Sequence, residues 1–194
     1  MSWVTDITEK AHQITGSEVS AFTSMFSPDV GTIVWSVVAP DLAALETIND
    51  KLLTDDGYTV LVDEGARLFQ GTIDDGLLQI IHGEMNPDRR VEYATTVQTV
   101  CANGNIARGM ELGVEIAQRA EQATGTPTLF AASMTGPYGS VVWMTGFTDV
   151  REMDRAQQAL AADAGFMRFI DEKVPGVYAE DAGSTTQLTY RRVI

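Results

Sequence analysis

The chain has one cysteine, Cys101, in 194 residues. A lone thiol closes no internal disulfide, so the protein needs no oxidising compartment and the cytoplasm is its expected place. Basic residues are also few. Lys and Arg number 13 against 27 Asp and Glu, for a net charge of −14. That balance excludes a nucleic-acid partner, because displacing counterions from phosphates takes a basic face. It argues equally against adhesion to an anionic membrane. No apolar run nears the roughly 20 residues that span a bilayer. The opening "MSWVTDITEK" lacks the basic flank and apolar run of a secretory signal. There are two histidines, and no Cys or His pair stands at zinc spacing. "NGNIARG" and "TGTP" lack the Walker and dinucleotide patterns, and no G-x-S-x-G elbow occurs. An obligate zinc, NAD or ATP enzyme is disfavoured, and no metal is expected.

What the chain does have is a core's worth of apolar residues, 44% of the total, and a repeat. "GTIVWSVVAPDL" begins at Gly31 and "GSVVWMTGFTDV" begins at Gly139. The offset between 31 and 139 is kept by Trp35 and Trp143, Asp41 and Asp149, Leu52 and Leu160, Asp55 and Asp163, and Gly57 and Gly165. It still holds at Asp63-Glu64 and Asp171-Glu172. Thr15-Gly16 matches Thr124-Gly125 with a slip of one residue, as a hairpin loop allows. Chance does not keep one register over such a length.

The second copy shows the order of elements. "VEYATTVQTV", from Val91, is rich in Val, Thr and Tyr and reads as a strand. Ile106, Met110, Val114 and Ala117 recur at helical spacing until Thr124-Gly125 stops them. "PTLFAASMT" and "SVVWMTGF" read as strands around the turn at Gly136-Pro137. Asp149 caps a helix that breaks near Asp163, and "TTQLTYRRV" closes as a strand. The order β-α-β-β-α-β is the ferredoxin-like split βαβ motif, with helices on one sheet face and the other face bare. The first copy reads α-β-β-α-β: a helix over Trp3–Ile14, strands over Val19–Phe26 and Gly31–Val38, a broken helix from Asp41 to about Leu68, and a strand over Leu77–Glu84. Its opening strand is absent. Either the flanking strands close up as a parallel pair, or another segment fills the slot. The two halves, residues 1–86 and 87–194, are joined by the short linker "MNPDRR" and are expected to pack directly as one compact unit.

Tandem units of this kind, carried by "IVWSVVAPDL…GYTVLVDE" and "VVWMTGFTDV…GFMRFIDE", resemble the dimeric α+β barrel superfamily. It includes the antibiotic-biosynthesis monooxygenase-like, stress-responsive barrel and NIPSNAP-like families. The resemblance covers most of the chain in topology and rests on no diagnostic signature. It implies an α+β fold in which two ferredoxin-like halves form a pseudo-dimeric barrel, the first half lacking its opening strand. Members include cofactor-free oxygenases, haem degraders, small-ligand binders and proteins without known activity, so fold alone does not settle function.

Five residues are candidate ligand contacts. Trp35 and Trp143 lie mid-strand, either as an aromatic wall for a flat ligand or as core residues; their place in both copies favours core. Phe130 lies on the strand before Trp143. His82 ends an apolar strand near the place where the second copy has Tyr190; it reads first as an exposed or hydrogen-bonded strand-end histidine, with a haem axial ligand or a general base as the alternatives, and no cofactor is otherwise expected. His12, beside Lys10 and Gln13, belongs to a solvated helix face. Asp63-Glu64 and Asp171-Glu172 are neighbours on a helix, so their side chains diverge and form no facing acid–base pair. Arg191 and Arg192 suit an ion pair or a carboxylate ligand. Cys101 precedes a helix start, where a thiolate could be stabilised, but a buried structural thiol is the simpler reading.

Three functions follow as expectations. One is a small-molecule-binding protein for an apolar or aromatic ligand, its pocket in the second half where Ala131, Ala132 and Gly146 leave room. Another is a cofactor-independent monooxygenase-like enzyme on an aromatic or polyketide-like substrate, as the resemblance implies. The third is a non-catalytic interaction or assembly subunit, a homo-oligomer joined through a bare sheet edge being one form of it.

Overall fold

The computed structural model describes residues 2–27, 30–70, 73–86, 88–181 and 183–194. Pro87, in the linker, lies outside the described residues. In chain order the elements are α1 (Ser2–Thr15), β1 (Val19–Met25), β2 (Ile33–Val37), α2 (Leu42–Leu53), α3 (Asp56–Gly65), β3 (Leu78–His82), β4 (Tyr93–Val100), α4 (Ile106–Thr124), β5 (Thr128–Ser133), β6 (Ser140–Phe147), α5 (Val150–Ala162), α6 (Ala164–Lys173) and β7 (Thr186–Arg192). The architecture is mixed α+β, and the paired strands whose registers are given run antiparallel.

The helix starts follow from chemistry visible in the sequence. Asp41, Asp55, Asp149 and Asp163 each cap a helix, accepting from the backbone N–H of Ala44, Tyr58, Glu152 and Phe166 at 2.8, 2.8, 2.8 and 2.9 Å. Each removes one orphan donor from a helix end. The breaks between α2 and α3 and between α5 and α6 are thus second N-caps rather than flexible joints. Helix α4 ends at Gly125 in a left-handed conformation, φ 71°, with its N–H bonded to the Glu121 carbonyl.

The chain forms two compact units, Met1–Ile73 with Arg191–Ile194, and Asp74–Tyr190. In the second unit the strand order is β7-β4-β6-β5-β3. The first four follow the ferredoxin-like order, and β3 adds an edge beside β5. Its core joins α4, α6 and one sheet face: Leu112, Ala117, Phe130, Val141, Trp143, Phe169, Val177 and Tyr178. Phe147, Met153 and Ala156 form a second cluster with Tyr93.

The first unit holds β1 and β2 as a hairpin, with α1, α2 and α3. Beside β1 the last residues of the chain pair, Val193 N–H to the Ala21 carbonyl at 2.8 Å and Ala21 N–H to the Ile194 carbonyl at 3.1 Å. Neither expected solution to the absent strand is adopted among the described residues. The strand over Leu78–His82 joins the second unit instead of closing up beside β2, and β2 is an edge strand. The reason is antiparallel pairing: four residues of β3 pair with four of β5, whereas closing up beside β2 would need a parallel ladder, which is less stable per residue.

Candidate functional site

Trp143 and Trp35 occupy the same place in their hairpins. In the β5–β6 register Phe130 stands opposite Trp143, and in the β1–β2 register Ala21 stands opposite Trp35. Directly opposed side chains share a sheet face. The change from phenyl to methyl alters everything around the indole.

At Trp143 the space is full. The Phe130 ring centroid lies 5.2 Å from the indole, and Tyr178 meets it edge-on at 5.5 Å. The other side of Phe130 rests on Gly113, where an added Cβ would fall 2.1 Å from the ring. Trp143 Nε1 donates to the Gly113 carbonyl at 2.8 Å, and the residue is 8% exposed. Tyr178 donates its hydroxyl to the Gly109 carbonyl at 2.6 Å, and burial pushes its acidity well below that of a free phenol. Burial likewise raises the Cys101 thiol, so the helix start does not yield a thiolate there. The room expected beside Gly146 is taken by Val91, 2.7 Å from a built Cβ, and Ala131 is fully buried. At Gly146 and Ala131 the expected room is thus taken by packed side chains.

At Trp35 the space is open. With a methyl opposite, the indole is met by two rings from elsewhere in the unit: Trp3, at the start of α1, at 6.1 Å, and Phe69, just after α3, at 6.3 Å. Trp3 and Phe69 are 5.3 Å apart, and all three contacts are edge-to-face. Trp3 lies on Gly65, where an added Cβ would come within 2.1 Å of the indole. Trp35 and Phe69 each stay 38% exposed. The polar atoms are already used: Trp3 Nε1 donates to the Leu61 carbonyl at 2.7 Å, and Trp35 Nε1 donates to Thr8 Oγ1 at 2.9 Å. What faces outward is aromatic carbon.

Thr8 links this cluster to a recess of about 200 Å³ in the same unit, lined by Thr8, Glu9, His12, Gln13, Val19 and Ile194. His12 Nδ1 lies 2.7 Å from the Ser17 carbonyl, which can only accept. In the neutral ring Nδ1 therefore carries the proton and Nε2 is the acceptor. Nearby, the Tyr58 N–H and the Lys10 ammonium hold the Asp55 carboxyl below its ordinary value; the Lys10–Asp55 pair spans 3.1 Å.

The five candidate contacts fall in different places. His82, Phe130 and Trp143 share one cross-strand row in the second unit, since His82 opposes Phe130 and Phe130 opposes Trp143. His82 ends the row half-buried, after a register shift at Ile80. Tyr190, half-buried on β7, is the last residue of that unit. Trp35 belongs to the first unit. Among the described residues no group of three or more His, Cys, Asp or Glu could hold a metal ion. Asp63, Glu64, Asp171 and Glu172 are exposed. Arg192 donates to Ser20 Oγ at 2.8 Å and lies over the Phe22 ring at 5.0 Å. Trp3, Phe69 and Thr8 were not apparent as site residues from the sequence. The signal for them was the small Ala21 opposite Trp35 where the other hairpin sets Phe130 opposite Trp143: an aromatic without a partner across the hairpin is met by rings from elsewhere.

No family model matches the chain, and no curated protein does either. Solved structures do. A candidate monooxygenase from Fusobacterium nucleatum superposes with a TM-score of 0.70 at 12% identity, over 100% of this chain and 84% of that one. An anthrone oxidase-like protein gives 0.60 at 11%, over 99% and 85%. A candidate monooxygenase from Lactobacillus acidophilus gives 0.58 at 8%, over 98% and 84%. At such identities the likeness shows the fold alone, a mixed α+β fold shared with these structures.

Proposed function

We propose that the protein binds a small apolar or aromatic molecule, as a pseudo-dimeric α+β barrel of two fused ferredoxin-like copies, residues 1–86 and 87–194. The ligand lies against Trp3, Trp35 and Phe69 in the first unit. One observation carries this reading. Trp35 keeps 38% of its surface open beside two other rings, while Trp143, in the same hairpin position, keeps 8%. An open aromatic cluster whose N–H groups are already bonded offers a ligand apolar contact and little else. A flat ring system suits it.

The names of the similar structures favour a second reading, in which the bound molecule is oxidised without a resident cofactor. An anthrone would react with dioxygen to give the anthraquinone and one water. His12, with Nε2 as acceptor in the lining of the adjoining recess, is the group placed to take the substrate proton.

The test is a titration of the protein with anthraquinone, followed by tryptophan quenching and by native mass spectrometry. Saturable quenching at one molecule per chain is expected, with affinity at least about tenfold weaker in Trp35→Ala, a loss of roughly 1.4 kcal/mol. Unsaturable quenching, or unchanged affinity in that variant, contradicts the site. Anthrone incubated under air separates the two readings: oxygen uptake above the buffer rate, reduced in His12→Ala, supports the enzyme, and binding without uptake supports the plain binder.

A further inference from the structure

The edge of β2 is built to receive another strand. Ser24 N–H donates to the Thr32 carbonyl at 3.1 Å, so in the antiparallel alternation Thr32, Val34 and Ser36 bond toward β1. Ile33, Trp35 and Val37 turn their N–H and C=O groups the other way, where no strand lies among the described residues. The stretch from Gly31 to Pro40 carries no charge, although exposed edges are ordinarily guarded by Lys, Pro or a bulge. Val34 is 36% exposed and Val38 57%.

The second copy shows what covers this edge. Its equivalent of β2 is β6, and the slot beside β6 holds β4. Cys101 N–H donates to the Gly139 carbonyl at 2.9 Å, which sets the same alternation: Thr99, Val97 and Thr95 bond to Val141, Trp143 and Thr145. Thus the residue opposite Trp143 is Val97, and the covering strand is "YATTVQTV", uncharged and rich in β-branched residues. With that cover Val142 falls to 6% exposure.

We propose that the outer edge of β2 binds an extended, uncharged, β-branched strand from another polypeptide, antiparallel, with an aliphatic residue opposite Trp35. This rests on the duplicated reading given above and goes beyond it by naming the partner's chemistry. A second molecule of this chain is the poorer occupant. Its strands β1, β4, β5, β6 and β7 have both edges paired, its two edge strands, β2 and β3, span five residues each against the eight of β4, and each molecule carries −14 charges. Strand addition draws affinity from the main chain and specificity from alternate side chains, as the β4 pattern supplies.

The probe is a capped synthetic peptide of residues 93–100, added to the intact protein and followed by tryptophan emission and isothermal titration. One peptide should bind per chain. N-methylation at Val97, whose N–H would meet β2, should weaken binding at least about tenfold, and N-methylation at Gln98, whose N–H points away, should not. Val37→Pro should have the same effect as the Val97 modification. It removes an outward donor from an edge strand and no bond to β1, so the hairpin survives, as near-UV circular dichroism would register. Absence of binding overturns the proposal, as does equal binding by Val37→Pro and the parent. Concentration-dependent self-association abolished by Val37→Pro overturns the choice of partner. A peptide of residues 185–193 from β7 binding as well as the β4 peptide removes the template and counts against duplication, whereas failure of the β4 peptide with anthraquinone binding intact leaves the ligand reading standing.

Discussion

β2 and β6 spell nearly the same strand and meet different fates. "IVWSV" is half exposed along its length, whereas "VVWMT" begins with three buried residues. The two tryptophans face helices through the same kind of hydrogen bond, to Thr8 in one unit and to the Gly113 carbonyl in the other. What differs is the company. Trp143 has a phenyl opposite, a tyrosine at its edge and a strand on each side of β6. Trp35 has a methyl opposite, borrowed rings, and one open side. A strand's burial is thus decided by its neighbours and by the size of the residue across the hairpin, not by its own letters.

The largest effect that should follow is on stability. Trp143→Ala opens a cavity in a filled core and is expected to cost about 3–5 kcal/mol, with Phe130→Ala close behind. Trp35→Ala removes a ring that is already half in water and should cost roughly 1–2 kcal/mol. Urea denaturation of the variants measures this, and equal costs would break the contrast between the units.

A smaller effect concerns pH. Asp55 accepts from the Tyr58 N–H and pairs with Lys10, and both hold its carboxyl below the ordinary 3.8. A carboxyl depressed in the folded state stabilises fully above its unfolded value, and that gain is lost as pH falls through the folded one. Asparagine caps about as well as aspartate. Asp55→Asn should therefore melt lower than the parent at pH 7, and the two should converge as pH falls from the ordinary 3.8 through the lowered folded value. Asp163→Asn, at the matching cap of the second unit, is the control for capping alone. The same displacement for both at every pH would show that Asp55 acts only as a cap.

The local parts of the fold were legible because their causes are local. Helix α4 ends at Thr124 where the Gly125 stop places it, and β6 matches "SVVWMTGF" residue for residue. The Asp149 cap could be read because it needs only its own helix start, whereas Asp163 read as a break and proves to be a second cap. The partner of β3 could not, since His82 and Phe130 are far apart in the chain and nothing near either fixes the pairing. Room beside small residues was hard to judge for a related reason: Gly146 read as vacant, but a small residue is as often the floor on which a large one sits, here Val91. Trp3 and Phe69 escaped notice because they come from different elements and meet only in three dimensions.

The most direct measurement uses the three tryptophans as their own reporters. Trp3→Phe with Trp143→Phe leaves Trp35, and Trp3→Phe with Trp35→Phe leaves Trp143. Acrylamide quenching of each single-tryptophan protein reads the access of water-borne solute to that ring. The account predicts red-shifted, readily quenched emission from Trp35 and blue-shifted, several-fold weaker quenching for Trp143. Equal quenching of the two would contradict it, and with it the assignment of the ligand surface to the first unit.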